Sequence, residues 1–303
     1  MIGIHSFNAE LSRKTIIENE ITISFGETHP GHKRSHNEDC YLIDPELRLY
    51  LVADGVGGHA DGEVAAAIVR DTLQEDVAKG LPLIEAIHRS HRAVLDEINR
   101  RIDSNMGSTV VAALISESEY DIAWVGDSRA YLFNGELRQI SRDHNPVSEM
   151  LARGAITAEQ AAAHPERNVL SQSLGVSDTI NVAPGRIRGD FNNGDQLILC
   201  SDGLTDEVSD TQIAQIMTRE TTVQSQVKGL INAALKAGGR DNVTVVVIGE
   251  KGDGNHCETN GTLGGLPAVE AESEDNTEHD SKVLLLLGIM AAVAVAWVAL
   301  KIF

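Results

Sequence analysis

The feature that most constrains the fold of this chain is a set of aspartates that follow apolar runs at widely separated positions. The four segments are VADG at 52–55, WVGDSR at 124–129, LCSDG at 199–203 and GRDN at 239–242, and RSHNED at 34–39 precedes them. Short apolar runs of this kind are typical of buried β-strands, so each aspartate is expected near a strand end. A fold that brings these ends together collects several carboxylates at one place.

Collected carboxylates predict a site for hard divalent cations. Mg²⁺ and Mn²⁺ both prefer carboxylate, carbonyl and water oxygens over nitrogen and sulfur, so the sequence does not choose between them. Arg34 lies close in sequence to Glu38 and Asp39. A guanidinium pairs with two phosphate oxygens at once, and metal ligands together with an arginine indicate phosphoester chemistry.

Two ions about 4 Å apart need one carboxylate that bridges them and further oxygens on each side. Asp54 is suited to bridge, the carbonyl of Gly55 to face the second ion, and Asp202 and Asp241 to complete the first. A water shared by such ions becomes a nucleophile near neutral pH. Taken singly, Asp-Gly is commonly a turn and Arg34 a surface charge. Their joint occurrence favours the site.

Composition limits the other classes of function. The chain has 303 residues and a formal net charge of −20, which argues against nucleic-acid binding because that affinity comes from Lys and Arg contacts to phosphates. The three cysteines have neither zinc-type nor CxxC spacing, and none begins a Cys-x5-Arg loop. Reduced thiols and a mechanism without a cysteine nucleophile are therefore expected. Residues 1–24 lack the pattern of a secretory signal.

Hydrophobic periodicity predicts an α+β domain, because runs of strands and pairs of helices favour layers over a βαβ alternation. Predicted strands lie at 21–25, 49–53, 108–115, 120–125, 129–133, 196–200 and 242–248. Predicted helices lie at 63–78, 83–102, 146–153, 158–163, 210–218 and 223–237. Residues 145–190 are predicted to be a mixed insertion that contains two of these helices.

The C-terminal part differs in composition. Residues 250–281 contain nine carboxylates and one lysine, which predicts a flexible, self-repelling linker. Residues 283–300 carry no charge and would span about 27 Å as a helix. With Lys282 and Lys301 at its ends, segment 282–303 is predicted to be a single transmembrane anchor that leaves the catalytic domain in the cytoplasm. A buried core helix is the alternative.

Over residues 21–249 the sequence resembles the PP2C type of metal-dependent protein phosphatases, in their bacterial serine/threonine branch. The shared motifs, in the family's order, are RxxNED at 34–39, ADGVGGHxxGE at 53–63, GST at 107–109, VGDSRA at 125–130, DH at 143–144, NVL at 168–170 with LG at 174–175, SDGLTD at 201–206 and GRDNVT at 239–244. The resemblance implies a four-layer α-β-β-α sandwich, two antiparallel sheets flanked by helices, within residues 1–249. The insertion at 145–190 would be the flap that meets protein substrates.

The resemblance also implies roles for particular residues. Two Mn²⁺ or Mg²⁺ ions would be held by Asp54, Gly55, Asp202 and Asp241, and a third, weaker ion by Asp127 with Asp202. Glu38 would act through a metal-bound water, Asp39 would support the ligands, and Arg34 would bind the substrate phosphate. Arg34, Asp54, Asp202 and Asp241 are thus the catalytic candidates. Phosphorylated proteins would be the substrates, and a cognate Ser/Thr kinase would oppose the enzyme.

One position departs from part of the family. Animal-type members place a histidine directly after the Asp-Gly pair as a candidate general acid, and this chain has Val56 there. His36 and His59 are near in sequence, and water on a third ion is another candidate. The general acid is therefore left unassigned.

The resulting hypothesis is hydrolysis of phosphoserine and phosphothreonine by direct attack of a metal-bridging hydroxide, without a phosphoenzyme. One alternative is a membrane-tethered phosphoprotein-binding regulatory module with weak or no catalysis. The presence of Asp54, Asp202 and Asp241 argues against it. A metal-dependent nuclease is disfavoured by the acidic composition.

Overall fold

In the computed structural model the apolar runs form two antiparallel β-sheets. The model describes residues 17–18, 22–57, 61–101, 105–175 and 182–250. The strands in these ranges are β1 (Ile17–Glu18), β2 (Thr22–His29), β3 (Asp39–Asp44), β4 (Leu49–Gly57), β5 (Met106–Ser108), β6 (Val110–Ile115), β7 (Glu119–Val125), β8 (Arg129–Phe133), β9 (Leu137–Gln139), β10 (Gly185–Asp190), β11 (Gln196–Cys200) and β12 (Val243–Glu250). The first sheet has the order β1-β2-β12-β11-β8-β9, and the second has the order β10-β7-β6-β4-β3, with β5 paired to β4.

Helices occupy most of the remaining described chain. They are α1 (Asp61–Ala78), α2 (Leu83–Arg100), α3 (Pro146–Ala152), α4 (Ala158–Ala162), α5 (Asp202–Thr205), α6 (Asp210–Arg219) and α7 (Val223–Ala237). Several begin at a side-chain cap, as at α3, where the Asn145 side chain accepts a hydrogen bond from the amide of Ser148 and Pro146 opens the helix.

The central strands of both sheets are buried on both faces, which explains why they are continuous apolar runs rather than alternating ones. In β4, Leu49, Leu51 and Ala53 pack in the cluster that includes α1 and α2. The intervening residues, Tyr50 and Val52, pack against the other sheet. A third cluster lies between the first sheet and helices α5–α7. Three apolar clusters between four layers confirm the predicted α+β class, with two sheets flanked by helices.

The structure adds strands that the sequence pattern did not predict, namely β1, β3, β5, β9 and β10. Strand β10 corrects the extent of the predicted insertion, because residues 185–190 pair with β7 as an edge of the second sheet. No helix of the described residues is long and apolar enough to cross a bilayer. The predicted linker and anchor, residues 251–303, lie outside the described residues.

Candidate metal centre

The two sheets bring the strand-end aspartates to one edge of the sandwich. Asp39 begins β3 and is paired with Asp54 of β4 in the second sheet. Asp202 follows β11 and Asp241 precedes β12, and these strands are neighbours in the first sheet. Asp127 lies in the link between β7 and β8, which passes from one sheet to the other. The carboxylates thus come from both sheets.

An open cavity of about 380 Å³ lies at this edge. Its lining holds seven of the eight predicted site residues, namely Arg34, Glu38, Asp54, Gly55, Asp127, Asp202 and Asp241. The eighth, Asp39, lies beneath them with 7% of its surface exposed. Its Oδ2 accepts hydrogen bonds from the hydroxyls of Ser201 and Thr244, both at 2.7 Å.

Several carboxylate oxygens at this cavity lack a partner. Within the described residues, Oε1 of Glu38, Oδ1 of Asp39 and Oδ1 of Asp202 are buried without a hydrogen bond. An unpaired buried carboxylate oxygen is costly unless a cation or a proton compensates its charge. Three such oxygens in or beneath one cavity are donors of the kind that divalent ions prefer. Within the described residues, no three acidic, His or Cys side chains already meet at one ion position.

Burial and mutual repulsion raise the pKa values of these carboxyl groups. Burial raises the pKa of Asp39 to about 7, although the two hydroxyls bound to it act in the opposite direction. Burial and then the charge of Asp202 raise the pKa of Asp127 to about 7. The pKa of Asp54 lies well above its ordinary value because of burial and the neighbouring Asp39 and Asp202. Bound cations would remove the repulsion that keeps these groups protonated.

Arg34 is placed at the mouth of the same cavity. Its guanidinium donates to Oδ2 of Asp241 at 2.7 Å, and 52% of its side chain is exposed. An ion pair as exposed as this contributes little to folding stability. The guanidinium is therefore accessible to an anionic ligand in the cavity.

The segment that carries Arg34 and Glu38 is held by Asn242. The side-chain oxygen of Asn242 accepts a hydrogen bond from the amide of Glu38 at 2.8 Å. Its nitrogen donates to the carbonyl oxygens of Pro30 at 3.0 Å and His36 at 2.9 Å. Three hydrogen bonds from one side chain fix this segment against the start of β12.

Two glycines permit close approaches around the site. A Cβ on Gly55 would clash with the backbone carbonyl of Gly62, and a Cβ on Gly203 would clash with that of Asn242. Any larger residue at either position would push apart the segments that carry Asp54, Asp202 and Asp241. The glycines of both Asp-Gly pairs are thus required by packing and not by their backbone conformation, since neither has a positive φ.

Comparison with known proteins identifies the family. A model of the Protein phosphatase 2C family matches residues 26–237. The chain belongs to this family. The serine/threonine phosphatase stp of Listeria monocytogenes is 37% identical over 238 residues, which cover 73% of this chain and 93% of that protein.

Solved PP2C-type structures agree in fold. The serine/threonine phosphatase PstP/Ppp of Mycobacterium tuberculosis matches with a TM-score of 0.69 and 34% identity, over 76% of this chain and 98% of that one. The catalytic domain of PstP in complex with two manganese ions matches with a TM-score of 0.67 and 33% identity, over 76% and 98% of the two chains. The chain is thus a PP2C-type bacterial serine/threonine protein phosphatase.

Of the two histidines considered as a general acid, the structure describes only His36. Val56 lines the cavity and is 49% exposed. His36 is exposed and bonded to Ser35 through Nδ1, outside the cavity lining. His59 lies outside the described residues.

The two thiols within the described residues, those of Cys40 and Cys200, do not line the cavity. Burial raises the pKa values of Cys40 and Cys200 to about 12. Both thiols therefore stay protonated at neutral pH, and a protonated thiol is a poor nucleophile.

Several residues of the PP2C site were not assigned a role from the sequence. They are Thr109, Asn168, Ser201, Asn242 and Thr244. All five lie inside the quoted motifs, and Ser201, Asn242 and Thr244 are next to or near an aspartate. Their small hydroxyl or amide side chains were the available signal, but the partners of those groups depend on contacts between strands far apart in sequence.

Proposed function

We propose that this phosphatase hydrolyses phosphoserine and phosphothreonine in proteins and depends on two Mn²⁺ or Mg²⁺ ions. The observation that supports it most directly is the convergence of partnerless, buried carboxylate oxygens on a cavity that also exposes an arginine. Asp54, Asp202, Asp241 and the carbonyl of Gly55 would hold the ions. When bound, such ions lower the pKa of water and offset negative charge on a phosphoryl group.

The chain's own residues have separate tasks in this proposal. Arg34 binds phosphoryl oxygens with its planar guanidinium and orients the phosphorus towards the carboxylate cluster. Asp39, held by Ser201 and Thr244, keeps its free Oδ1 directed away from those hydroxyls. Glu38 would act through a water, and Asp127 with Asp202 would hold a third, weaker ion.

Direct attack by an activated water, without a phosphoenzyme, stays a prediction. It agrees with the protonated state of Cys40 and Cys200, the two cysteines among the described residues, neither of which supplies a thiolate for a covalent intermediate. A phosphoprotein-binding module without catalysis is not favoured, because every candidate ligand is present and placed at one cavity.

Phosphate release by the full-length chain tests the proposal. Metal-stripped protein should release phosphate from phosphothreonine peptides only after Mn²⁺ or Mg²⁺ is added, and phosphotyrosine peptides should be poorer substrates. Asp202→Asn should lower kcat by at least about 100-fold and weaken Mn²⁺ binding, because it replaces a charged ligand in the centre. Asp96→Asn, on the exposed face of α2, is the matched control. Activity of Asp202→Asn equal to that of the control would disprove the metal assignment.

We further propose that residues 250–281 tether the enzyme and that residues 282–303 anchor it in a membrane, with the catalytic domain, residues 1–249, in the cytoplasm. The support is the uncharged run at 283–300 after an acidic stretch. Fractionation of cells that express the chain with and without residues 283–303 tests the anchor. The full chain should pellet with membranes and the shortened chain should not. A shortened chain that still pellets would contradict the proposal.

A Ser/Thr kinase that phosphorylates the same proteins is expected to oppose the phosphatase.

A further inference from the structure

A second cavity, of about 560 Å³, lies next to the metal centre beneath α3 and α4. We call it the flap cavity. Asn168 lines both cavities, so they are neighbours. Asn168 donates from its side-chain nitrogen to Oδ2 of Asp206 at 2.6 Å, just after the short helix that Asp202 begins. A substrate peptide whose phosphoryl group is bound at the metal centre can thus place a side chain a few residues away in the flap cavity.

The wall of the flap cavity is preformed. The backbone carbonyl of Arg142 accepts a hydrogen bond from the indole of Trp124 at 2.7 Å. On either side, Ser141 accepts from the amide of Ala130, and the amide of His144 donates to Gly126. These bonds fix the backbone of Arg142 to strands β7 and β8, so the position of its side chain does not depend on a loose loop.

The lining of the flap cavity carries three arginines, Arg129, Arg142 and Arg167, and two aspartates, Asp143 and Asp206. Asp143 is already occupied, because it accepts three hydrogen bonds from Arg129 and one from Gln139. Within the described residues, the exposed guanidinium of Arg142 has no hydrogen bond or ion pair. Arg167, which donates through Nε to Asn168, adds a second exposed guanidinium to the lining. Asp206, which accepts a hydrogen bond from Asn168, is the second carboxylate of the lining. The three arginines exceed the two aspartates by one charge, and Arg142 is the guanidinium without a described partner, so it marks a site for an anion in a chain of net charge −20.

We propose that the flap cavity binds an anionic side chain, a carboxylate or a second phosphate, that lies a few positions from the phosphoresidue in the substrate. This inference rests on the proposed function. Arg142 and Arg167 pair with the anion, since guanidinium groups bind carboxylate and phosphate oxygens in a bidentate manner. Val147 and Leu151 of α3 line the same cavity and receive the apolar stem of the bound side chain. The enzyme therefore prefers phosphosites in acidic surroundings.

Matched phosphothreonine peptides test this preference on the full-length enzyme. In each set one position, from four residues before to four after the phosphoresidue, holds Gln, Lys, Glu or a non-hydrolysable phosphonate analogue of phosphoserine. At one or two positions the Glu peptide should have a kcat/KM about five- to tenfold above that of the Gln peptide. The phosphonate arm shows whether a phosphate is preferred to a carboxylate.

Variants connect the preference to the cavity. Arg142→Gln should bring the ratio of Glu to Gln peptide to about one, and Arg142→Glu should favour the Lys peptide. Arg153→Gln is the matched control, since Arg153 is exposed, follows α3 and does not line the cavity. Each ratio is internal to one variant, so a partly inactive preparation does not distort it. If the Arg142 variants do not fold, the salt dependence of the wild-type enzyme is measured instead. Its preference for the Glu peptide over the Gln peptide should then be lost at high ionic strength.

The outcomes separate the two ideas. Equal turnover of the Glu and Gln peptides at every position, or an Arg142→Gln ratio equal to that of wild type, would overturn this inference and leave the phosphatase activity intact. Failure to hydrolyse every peptide and p-nitrophenyl phosphate would overturn the proposed function and this inference with it.

Discussion

Asn242 lines the cavity and also fixes the geometry of the site through its hydrogen bonds. Its side chain bonds to Glu38, Pro30 and His36, and thereby holds the segment that presents Arg34. The sequence places Asn242 inside a quoted motif but does not disclose this role, because the partners lie more than 200 residues away. The aspartates were predictable because a carboxylate beside a glycine at the end of an apolar run is itself a recognisable pattern for a metal ligand. The residues that position them were not.

Replacement of Asn242 by Ala should have two measurable effects, one on folding stability and one on substrate binding. Loss of three partly buried hydrogen bonds should destabilise the protein by about 1–3 kcal/mol. It should also raise KM for p-nitrophenyl phosphate, because Arg34 loses its fixed position. Steady-state kinetics and urea unfolding measure the two effects. Asn134→Ala, in an exposed turn, is the control. An unchanged KM would contradict a positioning role.

Among the secondary-structure elements, long apolar strands and amphipathic helices were predictable, and short or charged ones were not. Helix α7 and strands β8 and β11 have the predicted bounds, and the other predicted strands differ by a few residues at their ends. Strand β10 was missed because its sequence, GRIRGD, has a single large apolar residue. Arg186 and Arg188 both pair with Asp121 of β7 across this edge. Charged edge strands avoid further pairing, and that same composition hides them in a sequence.

Two aspartates that pair with arginines, Asp121 of β7 and Asp143 after β9, should differ in their contribution to the free energy of unfolding. Asp121 pairs with partly exposed arginines at the sheet edge, so Asp121→Ala should lower the free energy of unfolding by about 1 kcal/mol or less. Asp143 holds the largely buried Arg129 and is 8% exposed. Asp143→Ala should therefore cost about 3–5 kcal/mol, since a buried guanidinium loses its partner. Urea unfolding of both variants checks the order, and equal costs would refute it.

The whole molecule should respond to pH through its carboxylate cluster. In the metal-free protein the pKa values of Asp39 and Asp127 are raised from 3.8 to about 7. The folded state thus holds their protons more tightly than the unfolded state, and the stability from this source is full below about pH 4. That stability is lost as the pH rises through 7.

We therefore expect the melting temperature of EDTA-treated protein to fall between pH 5 and 8. Mn²⁺ should reverse the trend, because its ligands must be deprotonated. General repulsion from the net charge of −20 acts in the same direction as the cluster. Asp127→Asn, which lacks one of the titrating groups, should show a shallower fall than wild type. Thermal melts across this range decide the matter, and an EDTA-treated protein that gains stability towards pH 8 would contradict the expectation.

The clamp of Asp39 by Ser201 and Thr244 has a consequence for local opening. Asp39 belongs to the second sheet, whereas Ser201 and Thr244 belong to the ends of strands in the first. Any fluctuation that parts the sheets at this edge breaks the clamp and disperses the carboxylates together. Fraying here is therefore coupled to ion release, and amide hydrogens around Asp39 and Thr244 should exchange only by nearly global unfolding while ions are bound. The catalytic edge would then be the slowest part of the sandwich to exchange.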